Sequence, residues 1–326
     1  MNYKSITDLN FDTRRFAQES LPDVDLVVGI PRSGLLAANL LCLHLNVPMT
    51  DVDRLCESRL IDTGERYTED HSFRDLDSVL VVDDSVNSGS QMTETRNRLE
   101  KQDFPFDLSY AAIYISSRGR KYVDHWAEFV PRPRVFEWNV IHHPMLNDAC
   151  VDIDGVLCRD PTKAENDDGK RYREFLSTVE PTIVPDQRIG HLVTNRLEKY
   201  RPETEEWLDK HGVQYDELVM MDLPSKEARQ KRGNHAQHKA NVYDSTDATL
   251  FIESEPRQAK EISRRTARPV LCYETMEMIQ PNRVKRTHRA AGRFASRFRE
   301  NPVSSTVAAS KHLSSRCYYF ISDKLQ

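Results

Sequence analysis

The sequence contains no apolar run long enough to cross a membrane and no C-x-x-C pair. Its aliphatic stretches stay far below the about 18 residues of a membrane-spanning helix, so none is expected. The six cysteines are scattered along the chain, which argues against a zinc site or a disulfide framework and favours a reducing compartment. The first 15 residues lack the apolar core of a signal peptide. We therefore expect a cytoplasmic protein.

Length and charge indicate how the chain is divided. A chain of 326 residues accommodates two domains of about 100–200 residues each. The formal net charge of −5 selects no partner by itself, but the region after Pro281 is basic while the earlier chain is acidic. No internal repeat or low-complexity segment is present. We expect domains at residues 1–145 and 146–280, followed by a basic tail at 281–326.

Short aliphatic runs alternate with segments of helical period, which is typical of an α/β fold with buried parallel strands. Helices are expected to begin near Ser33 and Gly89. The polar stretch 54–77 is predicted to form a long mobile loop, of a length that is usually functional. We predict two Rossmann-like parallel-sheet domains, with strands at 25–30, 47–52, 78–83 and 108–115, and then at 149–154, 189–195, 216–221, 248–253 and 269–274.

The stretch VLVVDDSVNSGSQM (79–92) combines an aliphatic run, two acids and a loop of small residues. Asp83 and Asp84 are expected at the carboxyl end of a strand, where open α/β sheets bind ligands. The loop and the helix behind it would offer main-chain N–H groups to a phosphate, and Gly89 lets the backbone approach closely. Two carboxylates beside such a pocket suit the vicinal hydroxyls of a ribose 5-phosphate. A strand ending in a solvated acidic turn is the structural alternative.

This stretch resembles the type I phosphoribosyltransferase signature of a hydrophobic run, two acids and a Thr-Gly-Gly-Thr-like loop. It departs from that loop by Ser for the first Thr, Ser for the second Gly and Gln for the last Thr. The segment VVGIPRSGLLAANLL (27–41) resembles the pyrophosphate loop of the same family. The resemblance implies phosphoribosyl pyrophosphate as donor, the acidic pair as catalytic residues, and donor contacts from Arg32, Ser33, Gly34, Asp83, Asp84, Ser85, Asn87, Ser88, Gly89, Ser90 and Gln91.

The resemblance also bears on the acceptor. It places the flexible hood of the family at 54–77, with Arg59 and Arg66 as candidate cations. Asn87 stands where the purine-salvage branch has an Asp base, and an amide takes no proton at neutral pH. The hood lysines of the orotate branch are missing, because 54–77 contains no lysine. The motifs that bind the donor are present, but the residues that usually act on a nucleobase acceptor are not. For another acceptor, the candidate general bases are Glu57, Glu65 and Asp124.

A second acidic motif, VDIDGVLC (151–158), follows some seventy residues later. A D-x-D pair at a strand end suits either a metal-bound nucleotide or a phosphatase nucleophile, and later motifs discriminate between them. The sequence resembles motif I of the haloacid dehalogenase superfamily. That resemblance implies Asp152 as the nucleophile that forms an aspartyl-phosphate. It implies Asp154 as the acid and then the base of the two half-reactions.

The later motifs of that superfamily occur in the expected order. In LVTNR, Thr194 and Asn195 would bind the phosphoryl group, and Lys239 would neutralise its charge, with Lys226 and Lys231 as alternatives. In FIESE, Glu253 replaces the usual Asp. The resemblance implies a Mg²⁺ site formed by Asp152, the main-chain carbonyl of Asp154 and Glu253, a role that Glu255 could share. The insertion between the first two motifs is roughly 35 residues long and strongly polar, which predicts only a small cap and leaves the site open to a bulky substrate.

The tail from Pro281 to Arg299 is rich in Arg and Lys, with no acid before Glu300. Read as a helix, it is basic and weakly amphipathic. Three roles are open for this tail: contact with anionic lipid head groups or a lipid-linked acceptor at the inner face of a membrane, RNA binding, and packing on the acidic body. Of these, RNA binding is the one that we do not expect, so no nucleic-acid partner is predicted.

The two motif sets together resemble the bifunctional ribofuranosyltransferases of bacterial polysaccharide assembly, in which a type I phosphoribosyltransferase domain is fused to a haloacid dehalogenase-like phosphatase domain. This implies phosphoribosyl transfer to a glycan or lipid-linked glycan, followed by removal of the 5-phosphate. The alternative is a nucleobase phosphoribosyltransferase fused to a nucleotidase-type phosphatase. A third reading is a ligand sensor with two degenerate sites. The sequence specifies neither the acceptor nor the oligomeric state.

Overall fold

A computed structural model of the chain describes residues 1–62, 64, 73–228 and 235–281. The chain divides into two units, one of residues 1–143 and one from Pro144 onward. The sequence-based boundary is residue 145. The candidate residues Glu65, Arg66 and Lys231 and the basic tail after Pro281 lie outside the described residues.

The first unit contains a five-stranded parallel sheet. Its strands are β2 (Leu26–Gly29), β3 (Met49–Asp51), β4 (Ser78–Val86), β5 (Asp107–Ile115) and β6 (His125–Phe129), in the order β3-β2-β4-β5-β6. Two further strands, β1 (Asn2–Lys4) and β7 (Arg134–Phe136), form a separate parallel pair. The helices are α1 (Ile6–Glu19), α2 (Gly34–Leu45), α3 (Val52–Cys56) and α4 (Ser90–Leu99).

Both faces of this sheet are buried, because successive residues of a strand point to opposite sides. Val79 and Val81 of β4 pack with residues of α3 and α4. Leu80 and Val82 pack with residues of α1 and α2 on the other face. The unit therefore has three layers, with β4 at its centre.

Strand β4 does not end at Asp83, as the sequence predicts, but continues through the acidic pair to Val86. The prediction is wrong because β5 is equally long and supplies partners up to Ile115, which pairs with Val86. The acids are thus fixed in a strand, and Asp84 is only 3% exposed. The predicted loop is also shorter than expected, since its first residues belong to α3.

The second unit contains a six-stranded sheet. Its strands are β8 (Ala149–Val151), β9 (Ile189–Leu197), β10 (Tyr215–Met221), β11 (Leu250–Glu253), β12 (Val270–Cys272) and β13 (Glu277–Ile279), in the order β10-β9-β8-β11-β12-β13. All neighbouring pairs are parallel except β12 with β13. The described helices are α5 (Lys170–Thr178), α6 (Arg201–Lys210), α7 (His235–Ser245) and α8 (Pro256–Thr266). The insertion between β8 and β9 contributes the single helix α5.

Each sheet has a switch point, where the chain reverses the direction in which strands are added. In the first unit β3 and β4 lie on opposite sides of β2, and in the second β9 and β11 lie on opposite sides of β8. Ligands of open α/β sheets bind outside the carboxyl ends of strands at such points. The prediction of an α/β fold with parallel sheets is confirmed. The short strands β1, β6, β7 and β13 were missed. None of the helices in the described ranges has the length and apolar character needed to cross a membrane.

Two buried tyrosines of β5 allow a matched test of how the first unit is stabilised. The Tyr114 hydroxyl donates to Asp12 Oδ2 at 2.9 Å, whereas the buried Tyr110 hydroxyl has no partner among the described residues. We expect Tyr114→Phe to lower the free energy of unfolding by about 1 kcal/mol, and Tyr110→Phe to leave it unchanged or raise it slightly. Urea unfolding measures both, and an equal loss in the two variants would contradict this account.

Candidate active sites

The first candidate site lies at the switch point between β2 and β4. Ser33 Oγ donates to Asp84 Oδ1 at 2.7 Å. A Cβ on Gly34 would stand 2.9 Å from the Val82 carbonyl oxygen and 3.1 Å from Asp83 Oδ1, so the start of α2 can approach the acids this closely only as glycine. The structure therefore brings the predicted pyrophosphate loop against the acidic pair.

Arg32 is the unpaired cation of this loop. Its side chain is exposed, and in the described part of the chain it has no hydrogen-bond or ion-pair partner. The peptide bond between Pro31 and Arg32 is cis. A guanidinium without a partner beside the first turn of a helix is suited to binding an anion.

Asp84 receives a second hydrogen bond that no sequence motif predicts. Trp138 Nε1 donates to Asp84 Oδ2 at 2.8 Å. Trp138 lies in the 3₁₀ turn Glu137–His142 after β7 and stacks on Phe136, with ring centroids 4.9 Å apart. Phe136 stacks in turn on Tyr114 at 5.3 Å. Each Asp84 oxygen thus accepts a bond from a different segment, and the carboxylate is held in one orientation.

Asp83, the other acid of the pair, is also buried. Its Oδ1 accepts the main-chain N–H of Asp84 at 2.9 Å. Burial raises the pKa of Asp83 well above its ordinary value, and the negative charge of Asp84 raises it further. Arg134, a second residue that sequence reasoning missed, lies near both acids. Burial lowers the pKa of Arg134 to about 10, although Asp84 opposes this shift.

The predicted phosphate loop begins inside β4 with Ser85, which is half-buried. The main-chain carbonyl of Asn87 accepts a bond from Ser116 Oγ at 3.2 Å. Asn87 Oδ1 is buried and has no partner within the described ranges. It is therefore a buried acceptor that the described residues leave unsatisfied.

The turn into α4 is closed by Gly89, which has a φ of 79° and forms the N-cap. A Cβ at this position would stand 2.1 Å from the Tyr122 ring, so no larger residue fits. Ser88 Oγ and Ser90 Oγ are 3.0 Å apart at the same turn, and Gln91 is exposed in the first turn of the helix. Hydroxyl groups and helix N–H groups converge here as a phosphate pocket requires.

The structure does not bring every candidate residue to this site. Asp124 precedes β6 and accepts the main-chain N–H of Tyr110 at 2.9 Å, which places it toward the amino edge of the parallel sheet, away from the acidic pair. Arg59 is exposed and donates to Glu57 Oε2 at 3.0 Å. These two residues form a surface pair.

The second candidate site lies at the switch point between β8 and β11. Asp152 follows β8 and Glu253 ends β11, so their side chains are neighbours. Lys239 Nζ lies between them, 2.6 Å from Asp152 Oδ2 and 2.7 Å from Glu253 Oε2. All three side chains are buried. Of the other candidate lysines, Lys226 instead donates to the Asn166 carbonyl.

The electrostatics of this triad follow from its burial. Burial raises the pKa of Asp152 well above its ordinary value, and the attraction of Lys239 opposes that shift. Burial acts to lower the pKa of Lys239, but the two carboxylates outweigh it and raise that pKa. One ammonium group is therefore shared by two acids that have little access to water.

The predicted metal ligands do not form a cluster of three carboxylates, because the Asp154 side chain is engaged elsewhere. Among the residues that the structure describes, no group of three or more His, Cys, Asp or Glu side chains is placed to hold a metal ion. The Asp154 carboxylate faces Arg196, and its main-chain carbonyl accepts Ser254 Oγ at 3.2 Å. Glu255 caps α8 by accepting two main-chain N–H groups.

The predicted phosphoryl-binding residues lie on β9. Thr194 lies within β9, inside the predicted strand 189–195, and the strand continues to Leu197, which pairs with Met221 of β10. Its side chain is fully buried, and its Oγ1 accepts the Arg196 N–H at 3.2 Å. Asn195 donates to Gln258 Oε1 at 3.3 Å.

Comparison with known proteins gives fold-level similarities only. No protein-family model matches the chain, and no curated protein sequence matches it. Similar solved structures include a xanthine-guanine-hypoxanthine phosphoribosyltransferase from Helicobacter pylori (17% identity, TM-score 0.32, 43% of this chain and 93% of that one). A hypothetical protein from Neisseria gonorrhoeae with bound ppGpp has 16% identity and a TM-score of 0.32, over 43% of this chain and 90% of that one. A purine phosphoribosyltransferase from Pyrococcus horikoshii has 16% identity and a TM-score of 0.30, over 42% of this chain and 92% of that one. At such TM-scores, functional proposals rest on site geometry.

The raised pKa of Asp83 predicts a pH-dependent cost to stability. Above that pKa the buried carboxylate is ionised, which destabilises the folded state. This cost to stability shrinks as the pH falls, because the folded protein then takes up the proton that neutralises Asp83. We expect Asp83→Asn to raise the melting temperature of the first unit at pH 8, with a difference that shrinks toward pH 4. Differential scanning calorimetry across that range measures it. A variant less stable than wild type at every pH would contradict the prediction.

Removing Lys239 should leave two buried acids without their shared cation. We expect Lys239→Met to lower the free energy of unfolding by about 3–5 kcal/mol at neutral pH. Lys226→Met, which removes a cation from a neutral carbonyl, should cost far less. Adding Glu253→Gln to Lys239→Met should recover part of the loss, because one uncompensated charge is then gone. Urea unfolding of the four proteins tests this, and equal losses for the two lysine variants would contradict it.

Proposed function

We propose that the chain transfers a 5-phosphoribosyl group from phosphoribosyl pyrophosphate to a glycan acceptor and then removes the 5-phosphate. The first step is supported by two contacts at the switch point of the first sheet. Ser33 hydrogen-bonds to Asp84, and Gly34 lies close to Asp83. The two carboxylates thus contact the loop that carries Arg32, and they precede along the chain the turn of hydroxyl and N–H donors that opens α4. That arrangement suits a ligand with a phosphate at each end and hydroxyl groups in the middle.

In the first step the acceptor hydroxyl oxygen bonds to the anomeric carbon and releases its proton to solvent, as the bond from that carbon to pyrophosphate breaks. Arg32 and the main-chain N–H groups of Ser33 and Gly34 would take up the charge on the departing pyrophosphate. The acidic pair would hold the pentose by accepting hydrogen bonds from its hydroxyls. Asn87 is not a base at neutral pH, which disfavours a purine acceptor.

In the second step a carboxylate oxygen of Asp152 bonds to phosphorus, as the bond from phosphorus to the pentose oxygen breaks. Asp154 would pass a proton to that leaving oxygen and take one from the water that releases phosphate. Lys239 already contacts Asp152 and would stabilise the negative charge on the phosphoryl oxygens. Thr194 and Asn195 follow on the adjacent strand.

The residues present can also accept Mg²⁺. Lys239 contacts one oxygen of Asp152 and one of Glu253. Within the described ranges, the other two oxygens meet main-chain N–H groups and the Ser254 hydroxyl. Oxygen ligands of this type are those that Mg²⁺ prefers. Asp152, Glu253 and the Asp154 carbonyl would hold the ion, which would neutralise phosphate charge when bound.

The glycan acceptor follows from the order of the two reactions. Nucleobase salvage needs a nucleoside 5′-monophosphate, and a phosphatase on the same chain would destroy that product. An unphosphorylated ribofuranosyl group is useful on a polysaccharide. A nucleobase transferase fused to a nucleotidase is the competing function, and a panel of bases with labelled donor distinguishes it from the first.

Asp152→Asn should separate the two steps. With donor, Mg²⁺ and a glycan acceptor, wild type should release pyrophosphate and then phosphate. The variant should release pyrophosphate normally but accumulate the phosphoribosyl product, with phosphate release reduced by about 1,000-fold or more, as when a nucleophile is removed. Mass spectrometry of the acceptor measures this. Asp148→Asn, at an exposed acid just before β8, is the control, and a dephosphorylated product from Asp152→Asn would refute the assignment.

A further inference from the structure

Arg196 lies in β9 two residues after Thr194, and no sequence motif singled it out. We propose that Arg196 is a positioning residue of the phosphatase site, which fixes the Asp154 carboxylate in the orientation used in both half-reactions. The proposal rests on the phosphatase step above and concerns only the second unit. It assigns a role to a residue that touches neither substrate nor metal.

The contacts between the two side chains involve both carboxylate oxygens. Arg196 Nη2 donates to Asp154 Oδ1 at 2.7 Å. Its Nε lies 3.2 Å from Oδ1 and 3.1 Å from Oδ2. A planar guanidinium that meets both oxygens fixes the rotation of the carboxylate as well as its position.

Because Arg196 is buried, it can act on the reaction only through another residue. Its side chain is 0% exposed, whereas that of Asp154 is 17% exposed. The remaining donors face protein groups, with Nη1 3.5 Å from Thr204 Oγ1 and Nη2 3.3 Å from Cys158 Sγ. The guanidinium has no surface to offer a substrate, so it can influence the reaction only through Asp154.

The main chain of Asp154 is fixed independently of Arg196. Its carbonyl accepts the Ser254 hydroxyl at 3.2 Å. Gly155, with a φ of 78°, turns the chain where a Cβ would stand 2.5 Å from Ser254 Oγ. Loss of Arg196 should therefore free the Asp154 side chain while its backbone stays in place. One carboxyl group must serve first the leaving oxygen and then a water, which requires a fixed orientation.

The pair also explains how a charged arginine is tolerated in the core. Burial acts to lower the pKa of Arg196, but Asp154 outweighs it and raises that pKa, so the guanidinium stays charged. Asp154 is the acid in ion-pair contact with it in the described part of the chain. Removing either partner leaves the other charge without compensation, and the two residues should be energetically coupled.

The test uses the full-length chain with ribose 5-phosphate and Mg²⁺ as probe. We expect Arg196→Met to lower kcat for phosphate release by about 100-fold, as for a misplaced reacting group, with KM within about threefold. Arg196→Lys keeps the charge and one donor, and should recover roughly tenfold of the loss. In thermal unfolding, Arg196→Met and Asp154→Asn should each lower the melting temperature, and the double variant should lower it by less than their sum.

The matched control is Arg268→Met. Arg268 is half-buried in the same unit and donates to the main-chain carbonyls of Tyr243 and Thr246. This variant should lose stability but keep kcat. A folded Arg196→Met with kcat near wild type would overturn the positioning role alone, and so would a rise in KM with kcat unchanged. A wild-type chain that releases no phosphate would overturn the proposed phosphatase and the positioning role with it, whereas additive melting shifts would disprove only the coupling.

Discussion

Carboxylates held below the surface at the carboxyl ends of parallel strands are the constraint around which both units are built. Three of these acids accept hydrogen bonds from donors in other segments of the chain. Asp84 accepts from Ser33 and Trp138, and Asp152 and Glu253 share Lys239. A buried acid without such donors would lose far more on leaving water than the fold could replace. The donors therefore decide where each acid can stand.

This arrangement explains why the two sites look so different in charge. In the first, the acids are held mainly by neutral donors, and the cation of the loop, Arg32, stays exposed and unpaired within the described residues. In the second, two buried cations already compensate the acids. The first site thus has a positive group to offer a diphosphate, while the second offers acids whose charge is largely balanced before a phosphate enters. This difference supports the proposal of transfer from a polyanionic donor at the first site and attack on a phosphoester at the second.

The acidic pair shows how function constrains stability. Placing Asp83 beside Asp84 within a strand raises its pKa and carries a cost at neutral pH. The strand around them is apolar on both faces, and its hydrophobic burial offsets that cost. The same rigidity holds the carboxylates at fixed distances from the loop of Ser33 and Gly34. A pair of acids with more access to water would cost the fold less stability, but its carboxylates would be less well oriented.

The sequence by itself determined the alternation of strands and helices, the parallel sheets and the motifs at strand ends, because aliphatic runs and small-residue turns act locally. It could not show that β4 continues through Asp83 and Asp84, since that depends on the length of its neighbour β5. It named Lys239 ahead of Lys226 without showing its contacts to Asp152 and Glu253, and it did not reveal Trp138 or Arg196. Those partners come from distant parts of the chain, and only the packing of the sheets brings their donors within reach of the acids.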